Sequence, residues 1–305
     1  MKQMTISTIA LLGAVLAASP ALAEHPHPHS HSIAQTDAPA VTELAPGVGL
    51  LIGQDGNVVL VSDPRGVLII DDQRPRSAPA IVAAANGPIT HVINTHWHLD
   101  HSGGNAILGE GGTEIIAHRN VRARLMVDQF MAAYNRTVPA SPAIAWPTIV
   151  FDERLTIHHG DETIRLLHTP AAHTDGDALV YLERADVLHM GDLYFNGLFP
   201  FIDRSSGGTI DGLIAAIDVA LGMAGERTHV IPAHGAPAMR ADLVAWREML
   251  ATVRGRVARE KDAGHSLAQI VAAGLTAGYT LGGDADRFVS AIYDSLPPSA
   301  STTRP

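Results

Sequence analysis

The sequence predicts an α+β protein in which two β-sheets pack against each other with helices on the outside. Three observations carry that expectation. Short β-rich runs fall into two groups, one over 48–118 and one over 148–234. Helical spacing follows within or after each group. An Asp55-Gly56 step between two apolar runs marks a tight hairpin. Strand-rich halves with helices beside them belong to a layered class, each sheet burying its apolar faces.

The elements follow in order. VGLLIGQ (48–54) and NVVLVSD (57–63) are the arms of the hairpin, and GVLIIDD (66–72) reads as a buried strand. Residues 77–86 are expected to be helical, and THVINTH (90–96) is the next strand. EIIAH (114–118) leads into a helix expected over 119–134 from its apolar spacing. SPAIAWP (141–147) is a proline-bounded loop. Four strands come next: TIVFDE, TIRLLHT, ALVYLER and DVLHMGD. A helix over 209–222, the strand THVIPAH (228–234) and a helical remainder over 239–293 complete the chain. One domain is expected over 42–295, with a disordered tail over 296–305.

The 305 residues include 46% hydrophobic side chains, no cysteine and a formal charge of −10. That hydrophobic content suffices for a globular core. Net acidity argues against nucleic acid as a partner, because phosphate binding needs a basic face. Residues 1–23 read as an export signal, with Lys2, an apolar stretch over 8–18 and Ala21-Leu22-Ala23 as the cleavage site. The apolar stretch is shorter than the ~18 residues of a membrane span. Cleavage predicts a periplasmic or secreted protein with no remaining span. It leaves a His-rich tail over 24–41, in which His25, His27, His29 and His31 alternate with Pro and Ser. Such a segment builds no core; it is either a weak metal-capturing tail or simply solvated.

The densest chemistry is INTHWHLDHSGGN, residues 93–105. If THVINTH is a strand, His96 and His98 point to one side with Trp97 turned away. Asp100 and His101 follow the strand and can face a second nearby point. The spacing therefore suits two metal ions, and imidazole with carboxylate is a zinc ligand set. Each ion still needs ligands, and His173, Asp192 and His234 stand downstream where strands give way to loops.

The order Asp71, then His-Trp-His-Leu-Asp-His over 96–101, then His173, Asp192 and His234, resembles the metallo-β-lactamase superfamily over about 44–240. The resemblance implies a four-layer αβ/βα sandwich with two Zn²⁺ ions at one edge. It implies that His96, His98 and His173 hold the first zinc and that Asp100, His101 and His234 hold the second. Asp192 would bridge them, and Asp71 would support the ligands from behind. A metal-activated hydroxide would then cleave an ester, lactone, thioester or amide of a small-molecule substrate, with Asp100 as its orienting and proton-shuttling group. The superfamily's β-lactamases usually carry cysteine or serine where this chain has Asp192, so the ligand set looks more like glyoxalase II and the lactonases.

Three other readings compete: a β-lactamase, an iron-dependent oxidoreductase of the same superfamily, and a periplasmic metal-binding protein. Tyr194, Asn196 and Arg204 are candidate substrate contacts. The hairpin tip at 54–56 is a candidate flap, by the same resemblance. Trp146 is a candidate cleft residue or packing anchor. His118 is either structural or near the metals, and His168 and His189 are expected to be hydrogen-bonded core residues.

Overall fold

The computed structural model describes residues 40–298. The segment expected to be an export signal, the His-rich segment as far as residue 39 and the tail beyond 298 lie outside the described residues. Four strands form an antiparallel meander: β1 (Val41–Ala45), β2 (Val48–Ile52), β3 (Asn57–Asp63) and β4 (Gly66–Ile70). Helix α1 (Ala78–Ala85) crosses over to β5 (Ile89–Ile93), which runs parallel to β4. The short helices α2 (Leu99–Ser102) and α3 (Asn105–Glu110) lead to β6 (Glu114–His118), parallel to β5. Helix α4 (Arg119–Leu125) is followed by a separate hairpin of β7 (Gln129–Met131) and β8 (Arg136–Val138). Strand β9 (Ile149–Phe151) completes the seven-stranded sheet, ordered β1-β2-β3-β4-β5-β6-β9.

The second sheet holds β10 (Arg154–His159), β11 (Glu162–His168), β12 (Ala178–Leu182) and β13 (Val187–His189), all antiparallel. Helix α5 (Ile210–Met223) crosses to β14 (His229–Ile231), parallel to β13. Three helices follow: α6 (Arg240–Asp262), α7 (Leu267–Ala272) and α8 (Ala285–Ser295). No helix among the described residues is long and apolar enough to cross a membrane.

The alternation of side chains along each strand builds four layers. Val59, Val61, Leu68, Ile70, Ile93 and Ile116 face the second sheet, where Ile164, Leu166, Val180 and Ile231 meet them. Their neighbours Val58, Leu60, Val67, Ile69 and Val92 point the other way, onto Ile81 of α1 and Leu108 of α3. The outer face of the second sheet, with Leu179, Leu188 and Val230, is covered by α5, α6 and α8 through Ile217, Leu250 and Ile292. Central strands buried on both faces read as unbroken apolar runs, as GVLII does. Each such Val, Leu or Ile contributes roughly 1.5–3 kcal/mol on burial.

The structure departs from the sequence reading in several places. Strand β1 begins at Val41, inside the segment read as tail, and Leu296 beyond α8 is buried in the core. The expected helix over 119–134 stops at Leu125. Its continuation is a turn and the β7–β8 hairpin, in which apolar Val127, Phe130 and Tyr134 sit at helical spacing but are exposed. Strand β10 lies between TIVFDE and TIRLLHT, where the sequence pattern predicts no strand. The helical remainder over 239–293 divides at AGHS (263–266) and at the glycine-rich AGLTAGYTLGGD (273–284).

Candidate metal centre

Eight candidate site residues gather at one edge of the sandwich. Asp71 follows β4, the 96–101 motif follows β5, Asp192 follows β13 and His234 follows β14, so four parallel-strand ends point to the same edge. His173 joins them from the connection between β11 and β12. Outside the carboxyl ends of such strands is where α/β sheets place ligands.

The strand before the motif ends at Ile93, so His96 and His98 do not converge as i and i+2 of a strand, as expected. The chain bends over 94–98, and Asp100 and His101 ride on the helical turn α2. Convergence comes instead from different ring atoms. His98 Nδ1 lies 3.0 Å from both His96 Nε2 and His173 Nε2. These three nitrogens and Asp192 bring ligand atoms within 4.8 Å of one another, all buried.

Each far ring nitrogen has its own partner. His98 Nε2 lies 3.1 Å from Asp203 Oδ2, and His173 Nδ1 lies 2.7 Å from the Phe201 carbonyl. His96 Nδ1 lies 3.2 Å from Thr95 Oγ1, whose hydroxyl donates to Asp71 Oδ2 at 2.9 Å. A carboxylate or carbonyl can only accept, so the far nitrogens of His98 and His173 carry the protons and the near ones keep their lone pairs. The Thr95 hydroxyl, committed to Asp71, plays the acceptor for His96. Asp203 was missed by the sequence reading, because an Asp in a polar loop 105 residues from His98 carries no local signal.

The second group is Asp100, His101 and His234, again within 4.8 Å. Asp71 Oδ2 lies 2.8 Å from His101 Nδ1, so one carboxylate steadies a histidine in each group. Asp71 has a φ of 62°, a left-handed backbone uncommon outside glycine and the kind of strain that collects at functional sites. Asp192 stands between the groups. Its Oδ1 is 3.3 Å from both His101 Nε2 and His234 Nε2, while its Oδ2 is 3.4 Å from His173 Nε2 and 3.7 Å from His96 Nε2. Gly191 makes this placement possible: its φ is 52°, and a Cβ there would sit 2.7 Å from Thr95 Oγ1.

The electrostatics suit a cation. Burial alone would raise the Asp192 carboxyl, but the imidazoles of His101, His234 and His173 outweigh it and hold it well below the usual range. Burial alone would lower His101, yet Asp192 and Asp71 hold it well above the usual range. Burial and the neighbouring His101 push His96 well below. For Asp203, hydrogen bonds from His98 and Ser206 overcome burial and hold the carboxyl at about 2. His101 Nε2 and Asp192 Oδ1 are buried without a hydrogen-bond partner. An unpartnered buried polar atom costs about 1–3 kcal/mol, and a cation between these two removes that cost. The donor set, imidazole nitrogens with carboxylate oxygens, fits zinc.

A cleft of about 370 Å³ opens onto the centre. His98, Asp100, Asp192 and His234 form its floor, with Phe195, Phe201, Met131 and Tyr134 among its walls. None of the three candidate substrate contacts lines it. Tyr194 is buried in the core, its ring 5.4 Å from that of Trp246, because the chain turns it inward after Asp192. Asn196 donates to the Ala236 carbonyl and fixes its own loop. Arg204 donates to the carbonyls of Gly208 and Asp294 on the helical side.

Trp146 donates to the Ser141 carbonyl and is a packing anchor. The hairpin tip is tied to the loop after β4: Asp55 takes Ser77, Arg74 and Arg76, and Gly56 O accepts from Gln73 Nε2 at 2.7 Å. His118 stacks on His168, ring centroids 3.6 Å apart, outside the cleft.

Known proteins agree with this architecture. The chain is similar to an uncharacterized protein of Aquifex aeolicus, 27% identical over 154 residues, covering 50% of this chain and 72% of that one. It is similar to a hydroxyacylglutathione hydrolase of Rhodospirillum rubrum, 32% identical over 144 residues, 46% of this chain and 48% of the relative. Among solved structures it resembles the inverting sec-alkylsulfatase Pisa1 from Pseudomonas sp., with a TM-score of 0.64 and 19% identity over 83% of this chain and 49% of that one. It also resembles a metallo-beta-lactamase from Pontibacter korlensis, with a TM-score of 0.56 and 18% identity over 70% of this chain and 98% of that one. The match thus spans about half the length of the Rhodospirillum hydrolase and of the sulfatase. At such identities the structural likenesses speak to the fold alone. The family model of the metallo-beta-lactamase superfamily matches residues 51–245, nearly two thirds of the sequence and every residue of the centre, so this chain belongs to that superfamily.

Proposed function

We propose that this chain is a dinuclear zinc hydrolase, a single catalytic domain over 42–295, that cleaves an ester, thioester, lactone or amide of a small molecule after export. The observation that carries the reading is Asp192: a buried carboxylate offering one oxygen to each group of histidines. His96, His98 and His173 would hold one ion and Asp100, His101 and His234 the other, with Asp192 between. Two zinc ions, when bound, supply a nucleophile at neutral pH and polarise the scissile carbonyl.

The chain's own residues do the rest. Asp100 is half-buried and opens onto the cleft, so its carboxylate orients the attacking water and accepts its proton. Arg74, 3.9 Å away, keeps that carboxylate in place. Asp71, Asp203 and the Phe201 carbonyl keep the imidazole lone pairs aimed inward. Phe195 and Phe201 exclude bulk water from the cleft, which strengthens every charge interaction within it.

The test is a substrate panel on protein loaded with two equivalents of zinc: a glutathione thioester, as the Rhodospirillum relative's name suggests, a lactone, an aryl ester and a chromogenic cephalosporin. Turnover of the thioester, lactone or ester, abolished by a chelator and restored by zinc, is the expected result. Cephalosporin hydrolysis at ~10⁴ M⁻¹s⁻¹ or above, with the others slower, would replace this substrate reading. Metal analysis of protein taken from its native compartment decides between zinc and iron. Cell fractionation, with an N-terminus at Glu24, tests export.

A further inference from the structure

The cleft has two chemically distinct parts beyond the ligand floor. One is an aromatic wall. Tyr134, half exposed at the rim, has its ring centroid 5.3 Å from that of Phe201. Phe201 lies 6.0 Å from His98 and 5.7 Å from His173. Phe195 stacks on His234 at 5.6 Å on the other side. Met131 and Val138 extend the apolar surface from the β7–β8 hairpin. The wall therefore runs continuously from solvent to the ligand set.

The other part is a guanidinium without a counter-charge. Two arginines line the cleft, Arg74 and Arg136. Arg74 is committed to Asp55 at 3.3 Å and to Asp100 at 3.9 Å. Arg136, on β8 opposite Met131, makes no ion pair or side-chain hydrogen bond among the described residues. Most other arginines of the chain are engaged, as in Arg124 with Asp175, Arg247 with Asp218 and Arg254 with Asp211. A planar guanidinium facing a cleft is suited to a carboxylate, sulfonate or phosphate, which it can hold by two parallel hydrogen bonds.

We infer that the substrate is an amphiphilic monoanion: an apolar arm lies against Tyr134, Phe201 and Met131, and an anionic group away from the scissile bond is captured by Arg136. This rests on the hydrolase reading above and narrows it. Arg136 is then a specificity-determining residue, and the β7–β8 hairpin is the element that selects substrate. Tyr134, the exposed apolar residue of the hairpin that lines the cleft, gains a purpose as the entrance for that arm.

Two readouts test this on zinc-loaded, full-length protein. The first is binding of a matched pair, naphthalene sulfonate against naphthalene methanol, followed by calorimetry. A sulfonate is a poor zinc ligand, so binding reports the cleft and not the ions. Arg136→Gln should weaken the sulfonate at least ~10-fold and leave the alcohol unchanged, and Arg136→Lys should recover part of the loss. The second is hydrolysis of aryl esters of equal length with and without a distal carboxylate. Arg136→Gln should raise KM for the anionic ester at similar kcat and spare the neutral one. Tyr134→Ala should flatten the gain in affinity with acyl-chain length, and Phe130→Ala, outside the cleft, should not.

Sulfonate binding that ignores the Arg136 substitutions overturns the inference whether or not hydrolysis is seen. Arg136-dependent binding with no hydrolysis of any ester, thioester, lactone or amide upholds Arg136 as the anion site and instead removes the hydrolase reading.

Discussion

The two halves of the centre are built from the same kinds of side chain but are supported differently. His96, His98 and His173 are almost wholly enclosed, and each has its far nitrogen fixed, by Thr95, Asp203 and the Phe201 carbonyl. In the other half only His101 is so fixed, by Asp71. The side chains of Asp100 and His234 are about a quarter exposed, and they rest on Arg74 and on the face of Phe195. Ligands oriented in advance bind metal more tightly, because less freedom is lost on coordination. The enclosed half is therefore expected to bind its ion more tightly and to exchange it more slowly. On the proposed function the open half is the one that meets substrate, and its looseness would let Asp100 both ligate and move a proton.

The largest expected effect comes from breaking the link between the halves. Asp192→Asn removes the charge shared by both groups while keeping the shape of the side chain. The enclosed half keeps three histidines and should retain an ion; the open half, left with Asp100, His101 and His234 and no bridge, should lose its own. Metal content measured after gel filtration should fall from two per chain to one. Hydrolysis should fall by about three orders of magnitude, the scale of losing several kcal/mol of charge stabilisation. A variant retaining two ions, or none, would break the asymmetry.

A smaller effect isolates the support behind the ligands. Asp203→Asn leaves every ligand in place but replaces the acceptor that fixes His98, and the amide can present its N–H to the ring instead. The affinity of the tighter step in a zinc titration should fall roughly 10–100-fold, with the weaker step unchanged. Asp71→Asn, which touches His101 directly and His96 through Thr95, should weaken both steps. If Asp203→Asn leaves the tighter step alone, the difference between the halves arises from burial and not from orientation.

Much of this was legible in the sequence and some of it was not, for physical reasons. The gathering of the seven candidate ligands could be read because metal chemistry restricts residue types and because loops after strands place them at one edge. The route to convergence was misread: β5 ends at Ile93, and the chain reaches its geometry through a bend and the turn α2, where periodicity gives no guide. Asp203 and the Phe201 carbonyl were invisible, since support from behind depends on contacts across 105 and 28 residues. The substrate contacts were sought beside Asp192, but Tyr194 turned into the core. Phe195 and Phe201 do line the cleft, and the rest of its wall came from residues 129–138, hidden by apolar spacing that mimics a helix face. The layered fold was plain because buried strands write their faces directly into the sequence.

The smallest effect concerns two histidines outside both halves and gives the baseline for a buried imidazole that has no ion to face. His118 caps α4, its Nδ1 accepting from the Asn120 amide, and stacks on His168 with an interplanar angle of 7°. Burial, with the charge of His168, lowers its pKa from 6.5 to about 4. Between those values the unfolded chain binds a proton that the folded chain refuses. His118 therefore costs no stability above pH 6.5 and destabilises progressively as pH falls toward 4. His118→Asn keeps a favoured helix cap and removes the titration. Across that window the variant should lose less stability than the parent by roughly 1–2 kcal/mol, discounted for solvent screening of a partly enclosed ring. Urea denaturation midpoints at pH 7, 6, 5 and 4 measure it, and loss of metal at the acid end affects both proteins alike. Parallel pH profiles would mean that the stacked pair accommodates a proton, and that burial alone does not keep a histidine neutral in this fold.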